Sequence, residues 1–287
     1  MSRSSPTGFS PTGGINIPPN FERSVDRGET PAILVDADAT DPSAIGNATA
    51  ALASLTTTLN RDLPPKLQSE PVKSPFQFVV HARYNPEQLT VLNIVPGLVC
   101  IVLMSSTLLI TTLSITREWE RGTMENLLAM PVRPVEVMVA KIVPYIAIGY
   151  VQVVLIMAIS SAVFDLPVRG SLPLLMLALG LFIASNLALG FTFSTIATSQ
   201  MQAMQLAQFT VLPSIMLSGF MFPFYGMPLW AQWAGEIFPT THALRIVRGI
   251  LLKGNDASAI LPELWPIAAF TLVVAAIAIW SYRETLD

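Results

Sequence analysis

Charge is what this sequence has least of. Lys, Arg, Asp and Glu make up 12% of its 287 residues while 52% are hydrophobic, a balance outside that of ordinary soluble domains. No block of Lys and Arg occurs and the formal charge is -3, so the footprint of a nucleic-acid binder is missing and no nucleic acid is expected as a partner. The single cysteine, Cys100, sits inside an apolar run, which excludes a disulfide framework or a cysteine metal site within one chain. His81 and His242 are the two histidines and have no partners at metal spacing, so no metal ligands are expected. Neither a G-x-x-x-x-G-K-[ST] phosphate loop nor a serine elbow with His and Asp partners is present. The chain is therefore not expected to cradle ATP phosphates in that manner, to hydrolyse a substrate inside the membrane, or to be an enzyme in its own right.

What is present is a series of long apolar runs. Leu92 to Ile115 holds no charge, and about 24 residues at ~1.5 Å each cross a hydrocarbon core of ~30 Å. Further spans are expected at Val135 to Phe164, Leu172 to Ala197, Met204 to Phe222 and Leu261 to Tyr282, five in all. Pro96, Pro144 and Pro213 fall inside these runs and read as kinks rather than ends, because neighbouring helices can re-satisfy freed carbonyls. Gln152 and Asn186 cost free energy in hydrocarbon and are expected to face other helices or a cavity.

Two regions depart from this pattern. Residues 1–90 are polar, with strand signals in "INIP", "PAILVDAD" and "FQFVVHARYN" and helix signals in a stretch that Pro18 and Pro19 are expected to open and Gly28 to stop, and in "DPSAIGNATAALASLTTTLNRDL". A small α/β domain is expected there. Residues 219–254 are too apolar for a free loop and too broken by Gly219, Pro223, Gly226, Pro228 and Pro239 for one spanning helix, so a re-entrant or interfacial pair of short helices is expected. Phe222, Phe224, Trp230 and Trp233 suit headgroup level. Thr240 or Thr241 is expected to cap the second short helix, which would rest at an interface with Arg245 and Arg248 on one face.

Basic residues near span ends set orientation: Arg117, Arg121, Arg133 and Lys141 gather between the first two spans, whereas the next loop holds Arg169. By the positive-inside rule the 117–134 stretch and the C-terminus face the cytoplasm, and residues 1–90 and 219–254 lie outside. "SQMQAMQLAQ" sets Gln202, Gln205 and Gln208 three apart on roughly one helical face. Buried amides between helices are the plainer reading, and pathway lining the sharper one.

The stretch "REWERGTMENLLAMPVRP", residues 117 to 134, is the most informative. Glu118 and Arg121, and Arg121 and Glu125, are paired at helical spacing, while Met124, Leu127 and Leu128 form an apolar edge. A short amphipathic helix is expected over 117–131, ended by Pro131. This stretch resembles the cytosolic loop of type 2 ATP-binding-cassette exporter permeases, whose pattern is close to R-E-x-E-x-G-T-x-E-x-L-L-x-x-P. Arg117, Glu118, Glu120, Gly122, Thr123, Glu125, Leu127, Leu128 and Pro131 stand at those places. Residues 219–254 are similar to the broken segment before the last span of that family, and "INIPPNFERSV" resembles the start of the external domain in its bacterial multidrug-type members.

The resemblance implies a mainly α, polytopic membrane permease with a small α/β extracytoplasmic domain over 1–90 and a transmembrane permease domain over 91–287. It implies a multi-pass protein of the bacterial inner membrane that exports lipophilic or amphiphilic compounds. It implies a coupling helix in which Arg117, Glu118, Glu120, Arg121, Gly122, Thr123, Met124, Glu125, Leu127 and Leu128 meet a separate ABC ATPase subunit. No cofactor would be bound by this chain, ATP and Mg entering through that partner. A second permease copy or homologue, a periplasmic adaptor and the lipid bilayer complete the expected partners. Such permeases have six spans with the external domain after the first, so the first span is expected to be missing from this chain. A non-transporting membrane anchor, or an inactive truncated permease, is the alternative reading.

Overall fold

The computed structural model describes residues 14–27, 29–38, 46, 49–55, 58, 76–85, 87, 89–121, 134–164 and 166–284. For 37, 38, 82, 83, 115, 118, 119, 134–141 and 281–284 it describes the backbone alone. The chain divides into two compact units, Met1–Asn93 and Ile94–Asp287.

In the first unit three strands, β1 (Gly14–Asn16), β2 (Ala32–Asp38) and β3 (Gln77–Arg83), form one sheet in the order β1-β2-β3. β1 runs antiparallel to β2, with Ile15 opposite Val35. β2 runs parallel to β3, with Ile33 opposite Phe78 and Asp36 opposite His81. Parallel neighbours need a crossover connection, and residues 49–55, in the stretch expected to be helical, are helical. Ile33 and Phe76 are buried, and Phe76 meets Phe21 and Phe78 edge-on at ring separations of 5.9 and 5.6 Å. Helix α1 spans Phe21–Asp26, so Pro18 and Pro19 precede the helix instead of opening it. Asn20 stands between them and the helix at φ 66°, a left-handed turn that Asn tolerates. The expected stop at Gly28 lies outside the described residues.

The second unit is helical: α2 (Thr90–Glu120), α3 (Pro134–Phe164), α4 (Leu172–Ile196), α5 (Gln200–Leu217), α6 (Leu229–Ile237), α7 (Pro239–Arg248) and α8 (Ala257–Glu284). A 3-10 turn at Phe224–Gly226 precedes α6, and a π-helical turn at Gly249–Lys253 follows α7. Among the described residues four helices, α2, α3, α4 and α8, are long and apolar enough to cross a membrane, one fewer than the five expected. The exception is α5. It begins at Gln200, four residues before the expected Met204, and stops at Leu217, five before Phe222. Ser199 accepts the Gln202 N–H and so caps its start, which draws Gln200 and Gln202 into the helix and lowers its hydropathy. Gly219, at φ 83°, turns the chain just past its end. Pro96, Pro144 and Pro213 lie inside continuous helices.

Hydroxyl groups in α2 are satisfied within the helix: Thr107, Thr111, Thr112 and Thr116, all buried, donate to the carbonyls of Leu103, Thr107, Leu108 and Thr112 at 2.5–2.8 Å. Between helices, Ser106 of α2 donates to Gln152 of α3 at 2.7 Å, so Gln152 faces a neighbouring helix as expected. Buried Asn186 donates to the Phe182 carbonyl of its own helix at 2.8 Å.

Helix α4 is the hub, packing on α3, α5, α7 and most extensively on α8. Two glycines let neighbours approach. The Tyr150 hydroxyl passes over Gly180 to reach the Met176 carbonyl at 3.1 Å. At Gly190 a Cβ would sit 2.9 Å from both the Leu108 carbonyl oxygen and Thr111 Cβ, which is backbone-level contact between α4 and α2. Gly190→Val should therefore overpack this crossing and cost about 1–3 kcal/mol, measured as a lowered melting temperature in detergent. Gly14→Ala, with nothing within 4 Å of its Cβ, should change stability by less than about 0.5 kcal/mol.

Candidate functional site: the two ends of the helical unit

The contacts sort the helix termini into two ends. At one end the last turn of α2 meets the first turn of α5. At the other, the 166–171 loop joins residues 219–254, where the Arg169 N–H donates to the Leu251 carbonyl at 3.1 Å.

At the first end, residues 117–120 continue α2 instead of opening a separate helix, and Arg121 N–H still bonds to the Arg117 carbonyl at 3.1 Å. The reason is local: Arg, Glu and Trp all propagate a helix, and no breaker precedes Gly122. At ~1.5 Å per residue the 31-residue helix is about 46 Å long and outreaches a ~30 Å core. Arg117, Glu120 and Arg121 are exposed. Of Glu118 the backbone alone is described, and Gly122, Thr123, Met124, Glu125, Leu127 and Leu128 lie outside the described residues.

Glu120 is engaged. Its Oε1 accepts the backbone N–H of Gln200 at 2.6 Å, and its Oε2 accepts the Gln200 side-chain amide. The backbone donor, then the side-chain donor, hold its pKa below the ordinary carboxylate value. A lowered carboxylate pKa means the pairing favours the structure above the usual range and is lost as pH falls through the lowered value. Helix α5 then presents Gln202, Gln205 and Gln208 as exposed residues, not as amides buried between helices of this chain. Ala203 and Ala207 are the ones buried, because α5 turns its small residues inward.

At the second end an ionic cluster joins α6, α7 and α8. Arg245 grips Glu236 through Nη2–Oε1 at 2.5 Å and Nη1–Oε2 at 3.1 Å, and reaches Glu263 Oε2 at 3.3 Å. Its guanidinium lies 4.5 Å from the centre of the Phe224 ring. His242 Nδ1 is 2.6 Å from Glu263 Oε2, and its Nε2 is 2.9 Å from the Glu236 carbonyl oxygen. His242, which has no partners at metal spacing in the sequence, thus makes polar contacts with two carboxylate-bearing helices. The signal that could have located the cluster is the sparseness of charge between 219 and 263, where Glu236, Arg245, Arg248, Lys253, Asp256 and Glu263 are the six charged residues, since ionisable groups in apolar sequence tend to find one another. The pairing itself joins residues 6 to 21 positions apart, beyond the three- and four-residue spacing of a helix face.

The structure also corrects the expectation for α7. Pro239 to Leu244, Ile246 and Val247 are buried, and the helix packs on α4, α5, α6 and α8 instead of resting at an interface. Its buried positions run round most of the cylinder, with Thr240, Thr241 and His242 among them, and Arg245 is neutralised in place. Neither threonine caps it: Phe238 holds the N-cap position with Pro239 at the first turn. Thr241 Oγ1 donates to the Gly235 carbonyl at 2.6 Å and Thr240 Oγ1 to Met104 Sδ of α2 at 2.9 Å. Trp230 and Trp233 are exposed on α6.

Removing one member of the cluster strands the others. Arg245→Ala should cost about 2 kcal/mol, below the ~3–5 of a fully buried pair because Glu236 is 41% exposed. Arg245→Lys should recover only part of it, since an ammonium cannot make the two-pronged contact. Melting curves of the purified protein in detergent check both.

Comparison with known proteins agrees with this architecture. The description "ABC-2 family transporter protein" matches residues 10–280. The probable multidrug ABC transporter permease YbhS of Escherichia coli (strain K12) is 37% identical over 179 residues, covering 61% of this chain and 48% of that protein. The inner membrane transport permease YhhJ of the same organism is 31% identical over 287 residues, covering 96% of this chain and 74% of YhhJ. ABC transporter G family member 20 of Dictyostelium discoideum is 27% identical over 66% of this chain and 26% of its own length. The chain thus spans about half the length of the first of these relatives. With a family match over nearly its whole length and four helices fit to cross a bilayer, this multi-pass membrane protein belongs to the ABC-2 family of transporter proteins.

Proposed function

We propose that this chain is the transmembrane subunit of an ATP-driven exporter, driven by a separate ATP-binding subunit and working beside a second permease copy. The observation that carries this reading is the R-E-x-E-x-G-T-x-E-x-L-L-x-x-P stretch placed at the end of α2, a long apolar helix that emerges from hydrocarbon. Relatives named as permeases support it, as does the lack of a phosphate loop within these 287 residues. ATP and Mg would then be held by the partner.

In this reading the 117–134 stretch is cytoplasmic, and residues 1–90 and 219–254 face the other side of the inner membrane. Helix α5, at 18 residues about 27 Å long, would be a fifth crossing that matches the hydrocarbon thickness. The exposed Gln202, Gln205 and Gln208 would line a pathway shared with the second copy. Lipophilic or amphiphilic compounds are the proposed cargo, because the four long helices hold no acidic or basic residue near mid-depth to coordinate an ion. The 1–90 unit is the proposed contact for a periplasmic adaptor. For the grip on the ATP-binding subunit, Arg117, Glu118, Arg121, Thr123, Met124, Glu125, Leu127 and Leu128 remain the candidates. Glu120 is set apart from them, since both its oxygens are engaged within the chain.

Co-expression with the ATP-binding subunit encoded nearest to it provides the test. The pair should co-purify, and ATP hydrolysis in proteoliposomes should depend on the chain. Leu127→Glu with Leu128→Glu should abolish co-purification by placing charge on the apolar contact, while leaving the melting temperature of the chain alone within a few degrees. Retention of the ATP-binding subunit by this variant would remove the loop from its proposed role.

A further inference from the structure

We propose that Glu120 is a positioning residue that fastens the end of α2 to the start of α5, so that displacement of the loop is delivered to the helix bearing Gln202, Gln205 and Gln208. This rests on the reading above. Three observations carry it. Glu120 is the last residue of α2, where the turn is still closed by the Arg121 N–H donating to the Arg117 carbonyl, so its Cα moves with the helix and not with a loose connection. Its two oxygens take the backbone and the side-chain donors of one residue, Gln200, 80 positions away. And Gln200 opens α5, where an N–H has no partner within the helix and a carboxylate meets the positive end of the helix dipole.

The rest of that turn is organised around the same contact. The Gln202 N–H donates to Ser199 Oγ at 3.3 Å, and Gln202 Oε1 accepts both the Thr198 N–H and the Thr198 hydroxyl at 2.9 Å. Glu120 therefore supplies from α2 one of the acceptors that the first turn of α5 needs, and Ser199 and Thr198 fix the turn it pulls on. Pulled by two bonds on one residue, the turn is held in both position and rotation about the helix axis. A single bond would fix only position. Glu120 is exposed, and exposed polar contacts contribute little to stability. Its role is thus in where α5 sits relative to α2, and substitution separates that role from folding.

The test exchanges the two side chains. In Glu120→Ala both bonds to Gln200 are lost. In the double variant Glu120→Gln with Gln200→Glu, the amide introduced at position 120 donates to the carboxylate introduced at position 200. Its oxygen still accepts the backbone N–H of position 200, so both bonds return, one of them in reversed sense. In the purified chain, hydrogen–deuterium exchange should speed at residues 200–203 in Glu120→Ala and return to the wild-type rate in the exchanged pair. With the ATP-binding subunit in proteoliposomes, Glu120→Ala should retain the partner but lower ATP turnover by about fivefold, the low end of site-to-site coupling, and the exchanged pair should restore it.

Three results overturn the proposal: an unaltered exchange rate in Glu120→Ala, an exchanged pair as impaired as the single variant, or loss of the ATP-binding subunit from Glu120→Ala, which would place Glu120 in the grip. Should the wild-type chain retain no ATP-binding subunit, the exporter reading fails instead. The exchange rates of the chain alone then still decide whether Glu120 fastens α5.

Discussion

The constraint on which the helical unit depends is the absence of water in hydrocarbon. A backbone N–H or C=O without a partner costs several kcal/mol there, which leaves helices as the workable solution for a single chain of this pattern. The unit follows this rule beyond the backbone. The threonines of α2 return their hydroxyls to their own helix, and Ser106 uses Gln152 on a neighbour. The ionisable groups Glu236, His242, Arg245 and Glu263 close on one another while keeping part of their surface in solvent. Once polar groups are satisfied, packing distance becomes the remaining variable, and Gly180 and Gly190 set it by letting α3 and α2 come close to α4.

Where the pattern was periodic or uniformly apolar, the sequence was a sound guide. The runs from Leu92, Val135, Leu172 and Leu261 became α2, α3, α4 and α8 within a few residues of their expected limits. Prolines inside those runs did not end them. The three strand signals before residue 90 became one sheet, although its order and mixed direction were not legible, because pairing joins Asp36 to His81 and leaves no local trace. The errors fall where a few residues outweigh the average. Ser199 and Gly219 moved both limits of α5, and the absence of a breaker before Gly122 carried α2 through the first residues of the motif.

The candidate site divides in the same way. The motif at 117–131 is a pattern of residue types and could be read directly. Its contact with α5 could not, since nothing in "REWERG" points to Gln200. Likewise Arg245 reads as a group on one face of a short interfacial helix and His242 as a histidine without partners at metal spacing, yet their partners Glu236 and Glu263 come from the helices before and after it. Amphipathic spacing tells which residues share a face but not whether that face meets water, lipid or an oppositely charged neighbour. In α7 the polar face meets Glu236 and Glu263, and the helix is packed among α4, α5, α6 and α8.

The π-helical turn at Gly249–Lys253 has a consequence for how the far end of the molecule behaves as a mechanical part. One extra residue in a helical turn widens it and redirects its carbonyls. Here the Leu251 carbonyl accepts the Arg169 N–H, while Gly170 lies so close to Ile250 that a Cβ would come within 2.5 Å of its carbonyl oxygen. The hairpin between α3 and α4 is therefore pinned to the broken segment by main chain against main chain, with no long side chain to give. That corner behaves as a pivot of fixed radius, and any swing of α3 and α4 carries the broken segment with it.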